Sequence, residues 1–287
     1  MMNKLATVIG QFISTNMDNL MKDWEKEREC VSIWHNGPID EGMLESVNSI
    51  IQTSIKEGKN PEKIDLVVNS YGGFIEPAYQ ISCLLDKNFK DSQINFVVPR
   101  VAKSAATLIA CGCNKILFSQ VGELGPLDVQ IKRGEEVISG ITIKRLVDKE
   151  LKGENTNENM KEWIYKTLKP EEVLEMERFN EVAVKYLEEL LPRRMFPGKA
   201  SKSKEIQDAI KELCDKFPSH SFVIDHDTAK NKLNFNVEHV SDKEELILQN
   251  IRELWDYQNR LEKVIHLNLE NQILKKNVKE LLRRERK

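Results

Sequence analysis

The sequence predicts an α/β fold built on a mostly parallel sheet. Between residues 31 and 131, strand-like apolar runs alternate with segments whose apolar residues recur at helical spacing. Repeated strand–helix–strand units are typical of parallel sheets that carry helices on their faces. A segment without proline or glycine then closes the chain, from residue 241 onward. We therefore expect an α/β domain followed by a long C-terminal helix.

The elements of the alternating region follow from their local patterns. Short apolar runs predict strands, and apolar residues three or four positions apart predict helices. Turns rich in glycine, proline and asparagine separate many of them. The predicted series is strand CVSIWHNGPI, helix EGMLESVNSIIQTSIKEG, strand KIDLVVNSYGG, helix EPAYQISCLLDKN, strand INFVVP, a helix opened by Ser104, strand NKILFS and the loop QVGELGPLDVQI.

The pattern also divides the chain into regions. Residues 1–30 are predicted to form an N-terminal amphipathic helix, since their apolar residues fall on one face. Residues 31–240 are predicted to form one domain, with a charged helical insertion at about 132–217. After the insertion, a helix and a strand are expected to return to the sheet. Residues 241–287 are predicted to form a coiled-coil-like helix with a basic end.

Composition excludes several classes of protein. The 287 residues are 31% charged with a formal net charge of −3, which argues against a nucleic-acid binder and against a disordered chain. Five cysteines, an odd number, fit a reducing cytoplasm rather than a disulfide framework. No stretch reaches the roughly 18 apolar residues that span a bilayer. We expect a cytoplasmic protein without a transmembrane segment, a metal or a cofactor.

Two predicted strand ends carry candidate site residues, because crevices in parallel sheets form at the carboxyl ends of strands. Ser104 lies between a strand and a helix of small residues. It is either an N-cap or a nucleophile held at a helix start. Gly72 and Gly73 follow the strand DLVV and allow a sharp turn. The N–H groups of these glycines and of Ala105 could donate hydrogen bonds to an oxyanion.

Four stretches together resemble the Clp-fold serine proteinases of the serine dehydrogenase proteinase family. These proteins are related to Clp protease and to signal peptide peptidase A, within the crotonase-like superfamily. The matching stretches are LVVNSYGGFIEPAYQISCLL, FVVPRVAKSAATLIACGCNKI, GELGPLDVQI and SHSFVIDHDTAKNKLNFNVE. The resemblance covers most of residues 31–238 and implies a Clp/crotonase-like spiral fold. It departs from the family pattern at Lys103 before the serine and at Tyr71 before the double glycine.

The resemblance implies a serine peptidase with Ser104 as the nucleophile and an oxyanion hole at the Gly72–Gly73 turn. For the general base it favours His220, in the late SHSFVIDHDTA stretch, and chain order is no obstacle because triads recur in unrelated orders. A lysine such as Lys144 remains the alternative, as in relatives that use a Ser-Lys pair.

The resemblance also implies peptide or protein substrates and assembly into homo-oligomers. A partner protein could bind through the C-terminal helix, since its apolar stripe outruns what one domain covers. Two other functions stay open. A non-catalytic scaffold would use the fold without chemistry, and an acyl-CoA-binding crotonase-like protein would use paired N–H groups on a thioester without needing Ser104.

Overall fold

The computed structural model describes residues 2–128, 130–133, 136–151, 158, 159, 162, 166 and 170–260. Its central feature is a five-stranded sheet in the order β1-β2-β3-β5-β9, in which every neighbouring pair is parallel. Helices connect the strands, so the predicted α/β class with a mostly parallel sheet is confirmed. The strands are β1 (Val31–Asn36), β2 (Lys63–Asn69), β3 (Gln93–Val98), β4 (Val101–Ala102), β5 (Lys115–Phe118), β6 (Glu123–Leu124), β7 (Gln130–Arg133), β8 (Glu136–Ser139) and β9 (Val237–His239).

Most helices have the amphipathic pattern that the sequence indicates. They are α1 (Met2–Arg28), α2 (Glu41–Lys56), α3 (Ile75–Asn88), α4 (Ala105–Cys111), α5 (Gly140–Leu151), α6 (Pro170–Leu190), α7 (Lys204–Lys211) and α8 (His226–Leu233), and residues 242–260 are also helical. A single π-helical turn, Glu212–Lys216, continues α7. In α2, Asp40 caps the first turn by accepting a hydrogen bond from the Met43 N–H, 3.0 Å long.

One face of the sheet supplies the main apolar core. Leu66, Phe96 and Phe118 are fully buried there, together with Ile81 of α3 and Leu108 of α4. All seven residues of α4 are buried, which explains why that helix consists of small and apolar residues. Because α4 lies inside the core, the turn that precedes it is held by tightly packed surroundings.

The sequence interpretation missed one element of the region expected to be helical. Strands β7 and β8 form an antiparallel hairpin that begins at Gln130. Each strand has only four residues, too few for an alternation of apolar and polar side chains to stand out. The predicted return of a helix and a strand after the insertion is observed, since α8 leads into β9, which pairs with β5.

The chain forms two compact units. One consists of the described parts of Met1–Arg28 and Ser241–Lys287, and the other is Glu29–Val240. Within the first unit, Arg28 donates a 2.6 Å ion-paired hydrogen bond to Glu244 and lies 5.5 Å from the Trp24 ring centroid. The predicted basic end of the C-terminal helix lies outside the described residues. None of the described helices has both the length and the apolar character needed to cross a membrane.

Candidate active site

Ser104 lies in a strained turn between β4 and α4. Its backbone has φ 52° and ψ −117°, and its side chain makes no capping hydrogen bond. Positive φ is unfavourable for a residue with a Cβ and costs on the order of 1–3 kcal/mol. The turn is held by hydrogen bonds from Ala106 N–H to Lys103 O, 3.0 Å, and from Leu108 N–H to Ser104 O, 3.1 Å. The N-cap function that the sequence left open is therefore not what this hydroxyl performs.

The glycine turn packs directly against the serine turn. A Cβ added to Gly72 would lie 2.9 Å from both the Ser104 Cβ and the Lys103 carbonyl oxygen, and Gly72 has φ 111°. Two backbone hydrogen bonds join the turns, from Ser70 N–H to Val101 O and from Lys103 N–H to Ser70 O. Only glycine fits at position 72, because both its conformation and this close approach exclude a side chain.

The two glycine N–H groups differ in their partners. The Gly72 N–H donates to Ser70 Oγ at 3.1 Å, so it is already engaged. Within the described part of the chain, the Gly73 N–H has no hydrogen-bond acceptor. A Cβ on Gly73 would lie 2.1 Å from the Ile39 carbonyl oxygen, so the backbone here is tightly enclosed. Gly73 rather than Gly72 therefore offers an N–H for an incoming oxyanion.

Ser104, Gly73 and His220 line one cavity of about 360 Å³. Of the other residues predicted from the sequence, Gly72 and Ala105 are not among the described residues that line it. Ala105 is fully buried behind Ser104. The cavity is lined by Tyr71, Gly73, Phe74, Ile75, Glu76, Ser104, Leu127, Asp128, Phe179, Ala183 and His220. Apolar residues make up just over half of this lining, which also includes Glu76, Ser104, Asp128 and His220.

Asp128 is a candidate site residue that the sequence analysis did not single out. Its carboxylate is 2% exposed, and its Oδ2 lies 3.8 Å from His220 Nδ1. That distance exceeds a hydrogen bond, and Nδ1 is buried without a hydrogen-bond partner among the described residues. In unliganded active sites such contacts are often long and tighten when a substrate binds. Its place in the loop GPLDVQI was visible in the sequence, but its nearness to residue 220 was not.

The environment of His220 favours a neutral ring. Burial lowers the pKa of the His220 imidazole, the Asp128 carboxylate and backbone oppose that shift, and the positive charge of Lys103 adds to it. A neutral imidazole can accept a proton, whereas an imidazolium cannot. A base that is neutral at physiological pH is what proton removal from a serine hydroxyl needs.

Lys103 directly precedes Ser104 in the chain. Lys103 is 8% exposed and directs its ammonium group to Glu123, 2.8 Å away, and to the Ser221 carbonyl oxygen, 3.3 Å away. The alternative base Lys144 lies on α5, but its side chain is outside the described residues.

Comparisons with known proteins leave the family open. No protein-family model matches the chain. Uncharacterized protein MJ0137 of Methanocaldococcus jannaschii is 32% identical over 81 residues, which is 28% of this chain and 28% of that relative. Two solved structures match at TM-score 0.46 and 13% identity over 75% of this chain, covering 80% and 76% of theirs. Both are mutants of the 1510-N membrane-bound stomatin-specific protease, one in complex with a substrate peptide. A likeness of this degree carries no conclusion about chemistry.

Proposed function

We propose that this protein is a serine peptidase that acts through an acyl-enzyme at Ser104. One observation carries the proposal: Ser104 and His220 line the same cavity, and the buried Asp128 carboxylate lies beside the histidine. Nucleophile, base and orienting carboxylate are the three groups of a Ser-His-Asp triad. The strained backbone of Ser104 and its lack of a capping bond support the assignment.

The proposed reaction has two steps. The Ser104 Oγ attacks the carbonyl carbon of a peptide bond while His220 takes the hydroxyl proton. The Gly73 N–H donates to the oxyanion, and His220 then returns the proton to the leaving amine as the C–N bond breaks. In the second step, water loses a proton to His220 and attacks the ester carbonyl. His220 then returns this proton to the Ser104 oxygen as the ester C–O bond breaks, which releases the acid. Asp128 orients His220 and stabilises the imidazolium that forms.

A fluorophosphonate probe tests this proposal. We expect wild-type protein to be labelled at Ser104 and Ser104→Ala to remain unlabelled and folded. The matched control is Ser46→Ala, since Ser46 is an exposed serine of α2 whose hydroxyl bonds the Gly42 carbonyl oxygen. Labelling of wild type and Ser104→Ala to the same extent would contradict the proposal, as would a wild type that the probe does not label. The second result would favour a non-catalytic scaffold, or an acyl-CoA-binding protein that does not need Ser104.

The choice of base is part of the proposal. His220→Ala should lower the acylation rate by about two to four orders of magnitude, the usual contribution of a positioned acid–base group. If Lys144→Ala is the more damaging change and His220→Ala is close to wild type, the mechanism is a Ser-Lys pair.

A further inference from the structure

Lys103 is a buried charge that the reaction above does not use. Its side chain is 10% exposed, and its Nζ lies 2.8 Å from Glu123 Oε1 and 3.3 Å from the Ser221 carbonyl oxygen. A charge that loses its water is stabilised only by a partner and by satisfied hydrogen bonds. Glu123 and Ser221 supply both, so the ammonium group has a defined position.

The contacts of Lys103 join three segments that border the cavity. It precedes Ser104 in the chain, and its backbone N–H donates to Ser70 O in the segment that leads to the glycine turn. Its ammonium group donates to the carbonyl of Ser221, the residue after His220. One side chain thus links the segment of the nucleophile to the segment of the base.

The stem of Lys103 is held as firmly as its ends. A Cβ added to Gly125 would lie 2.9–3.1 Å from the Cγ, Cβ and Cδ atoms of Lys103. The stem therefore runs along a backbone position that only glycine leaves open, and it has little room for another rotamer. Glu123 lies on β6, which pairs with β4, the strand that leads into the serine turn. The direction of the ammonium group towards Ser221 follows from these constraints.

Lys103 also acts on His220 through its charge. Burial lowers the pKa of the His220 ring most, and the Lys103 charge lowers it further, while Asp128 raises it. Among the described residues, Asp128 and Lys103 are the charged groups that shift this pKa, and Glu123 faces Lys103. Glu76 lines the same cavity, and Arg145 donates to the Phe217 and Pro218 carbonyl oxygens in the segment before His220. A positive charge near an imidazole disfavours a second positive charge on the ring.

We propose that Lys103 is a positioning residue that holds the segment of His220 in place against the Ser104 turn. The inference rests on the proposed peptidase function and adds to it. A small residue before the nucleophile could not do this, because the bridge needs both the length and the charge of a lysine or arginine side chain.

The test measures probe acylation of Ser104 against pH, and the pKa of His220 by NMR in the resting protein. Lys103→Met keeps the stem and removes the charge. We expect its maximal acylation rate to fall by roughly 10- to 100-fold, the scale of a misplaced catalytic group. The pKa of His220 should rise, so that the acid limb of the rate profile moves to higher pH. Lys103→Arg should keep the pKa of His220 close to that of the wild type.

Glu123→Gln gives the opposite sign and a second route if Lys103→Met fails to fold. It keeps an oxygen acceptor for Lys103 but leaves the lysine charge uncompensated, so the pKa of His220 should fall. The control is Lys115→Met, which breaks the 2.6 Å ion pair with Glu238 away from the cavity. It should change neither the rate nor the pKa.

Three results would overturn the inference. One is a Lys103→Met protein with the rate and the His220 pKa of the wild type. Another is a shift of that pKa in the same direction in Lys103→Met and Glu123→Gln. In both cases a labelled wild type leaves the proposed function standing. A wild type that is not labelled at Ser104 overturns the proposed function, and this inference with it.

Discussion

At the scale of single residues, the close approach of Gly72 to Ser104 constrains the candidate site. A methyl group at position 72 would require the serine turn or the glycine turn to move, because its nearest neighbours include a backbone carbonyl oxygen at 2.9 Å. The same turn provides the Gly73 N–H. The position of the proposed nucleophile relative to the proposed oxyanion donor therefore depends on the absence of a side chain at one residue.

We predict that Gly72→Ala impairs both stability and acylation. Overpacking should lower the free energy of unfolding by about 1–3 kcal/mol, and acylation of Ser104 should fall about 100-fold. The control is Gly58→Ala, because Gly58 also has positive φ, +66°, but a Cβ there meets nothing within 4 Å. Denaturant unfolding and probe kinetics measure the two effects. Equal acylation rates in the two variants would show that the close approach has no role in the site.

The pH dependence of acylation depends on His220. The pKa of the His220 ring is lowered from the ordinary 6.5, chiefly by burial. The ring therefore takes up its proton only when the pH falls below 6.5. The acylation rate should therefore rise with pH and level off, with a midpoint below 6.5.

We predict that Asp128→Asn moves this midpoint to lower pH, because it removes the carboxylate that raises the pKa of His220. The maximal rate should also fall, since the imidazolium loses its stabilising partner. The measurement is a pH–rate profile of probe labelling. A matched control is Asp225→Asn, because Asp225 caps α8 by accepting from the Thr228 N–H and does not line the cavity. An Asp128→Asn profile with its midpoint at higher pH would contradict the assignment.

At the scale of elements, Thr107 anchors the buried helix α4 to the strands around it. Its Oγ1 lies 2.8 Å from the carbonyl oxygens of both Ala102 and Gly125, and it accepts from the Gly125 N–H at 3.3 Å. Thr107 is fully buried. One hydroxyl thus connects the strand before Ser104 with the loop that leads to Asp128, so α4 and this loop are held together.

We predict that Thr107→Val lowers the free energy of unfolding by about 1–3 kcal/mol, the cost of leaving buried polar groups without a partner. Thr53→Val is the control, since the Thr53 hydroxyl bonds the Ser49 carbonyl oxygen on the exposed surface of α2. It should change the stability by less than about 0.5 kcal/mol. Equal effects of the two substitutions in urea unfolding would show that the Thr107 contacts do not stabilise the turn.

At the scale of the whole molecule, the site and the terminal helices belong to different compact units. Each described residue that lines the cavity lies in Glu29–Val240. The other unit contains its own buried apolar residues, among them Trp24, Leu248 and Ile251. We propose that the 241–287 segment supports assembly into homo-oligomers or binds a partner, and that the chemistry does not depend on it.

We predict that a chain ending at Asp242 assembles less or becomes less soluble, because apolar side chains of α1 lose the helix in their own unit. Ser104 should still be labelled by the probe. Light scattering measures the mass, and a chain ending at Arg260 is the control that retains the described helix. An unchanged mass in the shorter chain would contradict a role in assembly. Loss of folding throughout would mean that the division into units does not describe independent parts.

The sequence by itself determined the alternation of strands and helices and the turns that carry Gly73 and Ser104. These features depend on apolar spacing and on glycine, which act within a few residues of one another. The parallel sheet followed from that alternation, because helices between strands enforce parallel crossovers. The hairpin at Gln130 was not predicted, because strands of four residues are too short to show such a pattern.

Only the tertiary structure decided which residues meet at the candidate site. Asp128 and His220 are 92 residues apart in number yet lie 3.8 Å apart, and Lys103 contacts Ser221 across a separation of 118. The engagement of the Gly72 N–H by Ser70 is local, but it depends on a side-chain rotamer that spacing does not specify. Contacts between distant residues result from the packing of the whole core, and the periodicity of a single segment carries no information about them.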